Sequence, residues 1–214
     1  MTATDRRPAA PRRVRRQPPR RRAGRAVLGV LTGLVLAAGA VAVQSLELTQ
    51  EGKDAPLTFL GAKGEAVDAG RFSVRVLKVS SAKAVKGQGG DVPAEQLFLV
   101  VEAEATVSKE PVHLAPPTLL TADGKKFVAT DKVDKSLTLA NPWIQPGWWS
   151  RGKFVFEVPS SALPGAQAVF QLPVSGLYSE PLPPEAQIDL GIDEAAGKQL
   201  ASTPADVVDL AEEK

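Results

Sequence analysis

The chain has no cysteine among its 214 residues. That excludes disulfides, thiolate metal sites, a cysteine nucleophile and a lipid anchor on cysteine. Histidine occurs once, as His113 in the proline-bracketed stretch PVHLAPP. A serine–histidine–aspartate arrangement needs such a residue as its general base, yet no G-x-S-x-G motif accompanies it. Tetrahedral zinc wants several nitrogen or sulfur ligands. His113 therefore reads as a surface histidine. A glycine-rich phosphate cradle is missing too, because GQGG lacks the following Lys-Ser/Thr and a helix behind it. Asp189, Asp193 and Glu194 offer hard oxygens, but their spacing is not that of an EF-hand loop. No cofactor is expected. Aromatic residues make up only 5% of the chain, and all three tryptophans, Trp143, Trp148 and Trp149, fall within NPWIQPGWWS.

Charge is plentiful but unevenly placed. Residues 1–25 carry ten arginines against Asp5 alone, an excess of nine positive charges. The remaining residues hold three arginines and thirteen lysines against twenty-three acids, an excess of seven negative charges. The overall +2 thus describes neither part; a basic tail precedes an acidic globule.

The tail, MTATDRRPAAPRRVRRQPPRRRAGR, has Val14 as its only large aliphatic residue and is expected to be disordered and cytoplasmic. Residues 26–43, AVLGVLTGLVLAAGAVAV, are uncharged and contain only Thr32 as a polar residue. As a helix they would extend about 27 Å, the hydrocarbon thickness of a bilayer. Such a helix satisfies its own backbone hydrogen bonds in lipid. Arginines on one side only, with Arg20, Arg21, Arg22 and Arg25 nearest, orient it: the N-terminus stays in the cytoplasm and the rest lies outside. The competing reading is a signal peptide cleaved at Ala38-Gly39-Ala40 or Ala40-Val41-Ala42. A long basic region and a long apolar run favour the anchor. The arginines lack the interleaved aromatics of a nucleic-acid arm, so they read as topology determinants that touch anionic lipid, with no nucleic-acid partner. Gly29-x-x-x-Gly33 matches a helix-dimer motif, although glycine is common in membrane spans anyway.

Residues 44–56 read as a polar linker, and 57–191 as a β domain. In QLFLVVEAEATV the residues Leu97, Leu99, Val101, Ala103, Ala105 and Val107 make one apolar face. The other face begins with Phe98 and Val100 and turns polar at Glu102, Glu104 and Thr106. A long strand buried on both faces at its start and on one at its end fits that pattern. In KFVFEV, Phe154, Phe156 and Val158 oppose Val155. RFSVRVLKVS slips phase after Val76, predicting a bulge. Asp123-Gly124 between two apolar runs predicts a hairpin. With LTFLG, AVFQL and AQIDLG, seven to eight strands result, the count of an immunoglobulin-like or Greek-key β-sandwich. Residues 82–95 read as a flexible inter-strand loop. Residues 192–214 read as an acidic tail with a short helix opened by Thr203-Pro204.

FLVVEAEATV, TLLTADGKKF and PGWWSRGKFVFEVP together resemble the immunoglobulin-like extracytoplasmic domain of unknown function that follows a membrane span or signal peptide in many Gram-positive and actinobacterial proteins. Its fold looks like that of a small secreted mycobacterial immunoprotective antigen. The resemblance covers residues 57–175 and implies a sandwich outside the membrane used for adhesion, sensing or envelope assembly. It brings no catalytic residue.

The tryptophans remain as the candidate partner site. As core plugs they would close the end of the sandwich; as a ridge they would stack on a sugar or a protein. Adjacent residues in extended geometry face opposite ways, so one of Trp148 and Trp149 is expected to be exposed, namely Trp148. The expected protein is a single-pass membrane protein displaying a non-catalytic β-sandwich that binds an envelope protein or polysaccharide. The alternatives are an envelope hydrolase working through carboxylates such as Glu102 and Glu104, a secreted soluble protein after signal cleavage, and a cytoplasmic regulator with an arginine-rich arm.

Overall fold

Alternation in residues 97–107 becomes strand geometry. The structure, a computed structural model, describes residues 55–173 and 181–211 together with Gly33, Leu36 and Gly39. The basic tail, nearly all of the apolar run and most of the linker lie outside the described residues. Among those described, no helix is long and apolar enough to cross a membrane. Residues 49–214 form one unit, and the following concerns that unit alone.

Ten strands are present among the described residues: β1 (Leu57–Ala62), β2 (Val67–Asp68), β3 (Phe72–Gly87), β4 (Gly90–Val107), β5 (Thr118–Leu120), β6 (Lys126–Val128), β7 (Ser150–Val158), β8 (Gln167–Gln171), β9 (Pro184–Asp189) and β10 (Ala205–Asp209). One helix, α1 (Glu194–Ser202), precedes the last strand. The first sheet has the order β1-β9-β8-β5-β6; the second has β10-β3-β4-β7, with β2 beside β3. Most pairings are antiparallel, but β1 runs parallel to β9 and β10 parallel to β3. The architecture is a β-sandwich.

Between the sheets lie Phe72, Val74, Leu99, Val101, Phe154, Phe156, Phe170 and Ile188, each fully or almost fully buried. Burying each such side chain contributes about 1.5–3 kcal/mol. The expected bulge sits at Leu77, where the β3–β4 register shifts between Val76 and Lys78. The slip lets Val79 oppose Val101 on the inward face. A second apolar cluster covers the outer face of the second sheet: Phe98, Val100 and Val155 lie beneath Val133 and Leu210. The even positions at the start of β4 are apolar because they have this second layer to enter.

Three expectations need correction. The strand count is ten rather than seven to eight, because β2 and β10 are too short or too polar to register as alternating runs. Residues 82–95 are not a loop: β3 and β4 continue as a paired ribbon to Gly87 and Gly90, anchored by buried Val85. Thr203-Pro204 opens no helix. The helix begins earlier, where the Asp193 carboxylate accepts from the Ala196 N–H at 2.7 Å, and Pro204 follows its end. Residues 205–209 then add a strand to the second sheet.

The Asp123-Gly124 hairpin is present between β5 and β6, with Gly124 at φ 81°. Lys125 Nζ lies 2.8 Å from the Asp123 carboxylate, and Thr121 Oγ1 donates to it. These two bonds, that of Lys125 being the stronger influence, hold the Asp123 pKa at about 2 against an ordinary 3.8. A depressed folded-state pKa means the turn's contribution is complete above about pH 4 and fades as pH falls toward 2. A carboxyl NMR titration should place the Asp123 midpoint near 2, and Lys125→Met should raise it; a midpoint near 3.8 in the unaltered chain contradicts the turn geometry.

Candidate functional site

The tryptophan segment joins the short 3₁₀ turn at Lys135–Leu137 to β7. Its fixed point is Ile144, fully buried and bonded both ways to Val112: the Ile144 N–H donates to the Val112 carbonyl at 2.8 Å, and the Val112 N–H to the Ile144 carbonyl at 3.2 Å. Pro146 bridges to Val107 at the end of β4. The chain then reverses over Pro146-Gly147, with the Trp148 N–H reaching the Gln145 carbonyl at 3.4 Å. Gly147 at φ 74° takes the third position of a type II turn, where a side chain would be strained. Leu139 packs so closely on β7 that a Cβ on Gly152 would lie 3.0 Å from the Leu139 Cβ.

With Ile144, Leu139 and Ala140 filling the end of the sandwich, the indoles are left outside. Trp143 is 59% exposed, Trp148 75% and Trp149 42%. The expectation of tryptophan core plugs is therefore overturned, and so is that of one buried member in the Trp148–Trp149 pair. Trp148 is the exposed residue it was expected to be.

Two of the three indoles are braced by polar neighbours. Trp143 lies against His113, ring centroids 4.0 Å apart and planes tilted by 42°. His113 Nδ1 sits 3.1 Å from the Pro142 carbonyl, which can only accept, so that nitrogen carries a proton. The lone histidine thus positions a tryptophan. The Trp149 ring lies 5.2 Å from the Arg75 guanidinium carbon, a cation–π distance. Arg75 in turn donates through Nε to Glu104 at 2.7 Å and pairs with it through Nη2. Arg151, on the same rung as Glu104, reaches diagonally along the sheet: its Nε donates to Glu102 at 2.6 Å. The sequence singles out Glu102 and Glu104 but not their arginine partners; strands β3 and β7, which flank β4, bring Arg75 and Arg151 to them.

Beside these pairs runs an open groove of about 290 Å³, bordered by Glu102, Leu139, Asn141, Pro142, Arg151 and Leu210. Glu102 and Glu104 are each bonded to a guanidinium. The most buried carboxylate among the described residues, Glu185, accepts from Thr58 Oγ1 and Gln171 Nε2, both at 2.6 Å, on the outer face of the other sheet. Among the described residues no three His, Asp or Glu side chains gather to hold a metal ion. Arg20, Arg21, Arg22 and Arg25 lie outside the described residues.

Fold and site together define a β-sandwich with a braced aromatic loop at one end. A scan against family models gives no match, and a search of curated proteins gives none. Two solved structures are similar. The yjhA protein from Bacillus subtilis is 14% identical, the alignment covering 61% of this chain and 99% of that one, with a TM-score of 0.47. An uncharacterized β-sandwich protein from Clostridium difficile 630 is 12% identical, covering 63% of this chain and 95% of that one, with a TM-score of 0.39.

Proposed function

We propose that this chain is a membrane-anchored, extracytoplasmic binding module: a non-catalytic, immunoglobulin-like sandwich that engages an envelope protein or polysaccharide. The observation that carries the reading is Trp149, held over Arg75 on the sheet face rather than packed into the core. An exposed indole that is already immobilised presents large contact area at little entropic cost, which is how recognition aromatics work. Trp148 and Trp143 stand exposed on the same loop. The anchor rests on the uncharged run 26–43 and its one-sided arginines.

Binding of the full-length chain to a purified cell-wall fraction tests it. Trp149→Ala should weaken binding by at least about tenfold, the effect of losing one well-placed aromatic anchor, with the unfolding midpoint unchanged. Arg75→Met should weaken it less, because the indole survives but loses its brace. Equal binding by Trp149→Ala and the unaltered chain overturns the assignment.

A further inference from the structure

The large apolar side chains exposed on the sandwich are concentrated at one end. Eight are exposed among the described residues of this unit: Leu57, Leu60, Val128, Trp143, Trp148, Trp149, Leu182 and Val207. Five of them sit where β4 ends. Pro146 bridges Val107, placing the tryptophan loop there. Strand β1 turns at residues 62–65 into β2, and β2 runs antiparallel to β3 from Val74 to Ser73. The start of β1 therefore lies level with the start of β3, which pairs with the end of β4. Leu57 is at that start, and Leu182 lies two residues before Pro184, the register partner of Leu57. Leu60, Val128 and Val207 stand elsewhere.

This is also the end at which the chain arrives. Thirteen residues, 44–56, separate the apolar run from Leu57. Thirteen residues reach at most about 45 Å even when fully extended. We infer that this end of the sandwich rests on the bilayer surface, with Trp143 and Trp148 in the headgroup–acyl interface and Leu57 and Leu182 beside them. Indoles prefer that depth, because a broad apolar ring and a polar N–H match the boundary between lipid and water. The short tether keeps the surface at high effective concentration, so modest apolar contact suffices. Arg71 and Lys109 at this end are balanced by Asp68 and Glu110, which makes the seating apolar rather than electrostatic. Trp149, turned over Arg75 on the sheet face, stays available to a partner. The inference rests on the anchored reading above.

The chain carries no tryptophan outside this loop, so its intrinsic fluorescence reports on this end alone. The full-length protein is reconstituted in phosphatidylcholine vesicles with plain or brominated acyl chains and floated on a density gradient. The expected result is co-flotation, with bromine quenching roughly two-thirds of the emission, the share of Trp143 and Trp148 among the three indoles. Trp143→Ala and Trp148→Ala should each lower the quenched fraction, Trp149→Ala should raise it, and high salt should leave it unchanged. Co-flotation with unquenched emission overturns the seating and leaves the anchor standing. A chain that stays out of the lipid overturns both.

Discussion

Ending the chain at Thr203 should destabilise the sandwich by at least about 2–5 kcal/mol, the range for removing one large buried aliphatic side chain. The cost arises because β10 is a structural strand rather than an appendage. Leu210 is 6% exposed and, with Val208, covers Phe98, Val100 and Val155 on the outer face of the second sheet. Without β10 those side chains meet water. Leu210→Ala alone should account for most of the loss. Lys83–Asp206 and Lys86–Asp209 join the same strands, but the lysines stand well exposed, and such pairs contribute about 0–1 kcal/mol. Lys83→Met should therefore change little. Urea unfolding of the full-length chain, followed by circular dichroism, separates these outcomes. An unchanged midpoint on truncation means that residues 204–214 lie outside the cooperative unit.

Local pattern made much of the fold legible. The two-faced character of β4, the opposed faces of β7, the bulge at Leu77 and the Asp123-Gly124 turn each follow from side chains within a dozen positions. β10 could not be read that way. Its sequence, ADVVD, is mostly acidic and small, and Thr203-Pro204 before it carries a helix-start signal. It is a strand because β3 offers an edge about 120 positions earlier in the chain and because Val208 and Leu210 meet Phe98. The ribbon at 82–95 has the same origin, since its glycines and lysines look loop-like until Val85 is given a cluster to enter.

The site was half legible. Composition picked out the tryptophans, and Pro146-Gly147 predicted the turn that carries them. Their exposure depends on Ile144 and Leu139, smaller residues that already close the sandwich end and leave no space for an indole. The opposite-face argument for Trp148 and Trp149 assumed extended backbone, whereas Trp148 closes a turn. Arg75 lies more than seventy positions before Trp149, so no local motif joins them; only strand pairing does.

The second large effect concerns the core between the sheets. Phe154 on β7 meets Phe170 on β8 at 5.9 Å between ring centroids, the planes inclined by 60°. The contact ties the two sheets, and both rings are essentially buried. Phe154→Ala should cost about 3–5 kcal/mol, combining lost transfer energy with a cavity that rigid strands cannot close. Phe170→Ala should cost a similar amount, and a double-mutant cycle should show a coupling of about 0.5–1.5 kcal/mol for the ring pair. Phe154→Ala and Leu210→Ala act on opposite faces of one sheet, in separate clusters. Their costs should add to within about 0.5 kcal/mol. A large coupling between Phe154 and Leu210 would mean that the two clusters are strained through one another across the sheet, and the two-layer description of the second sheet would fail.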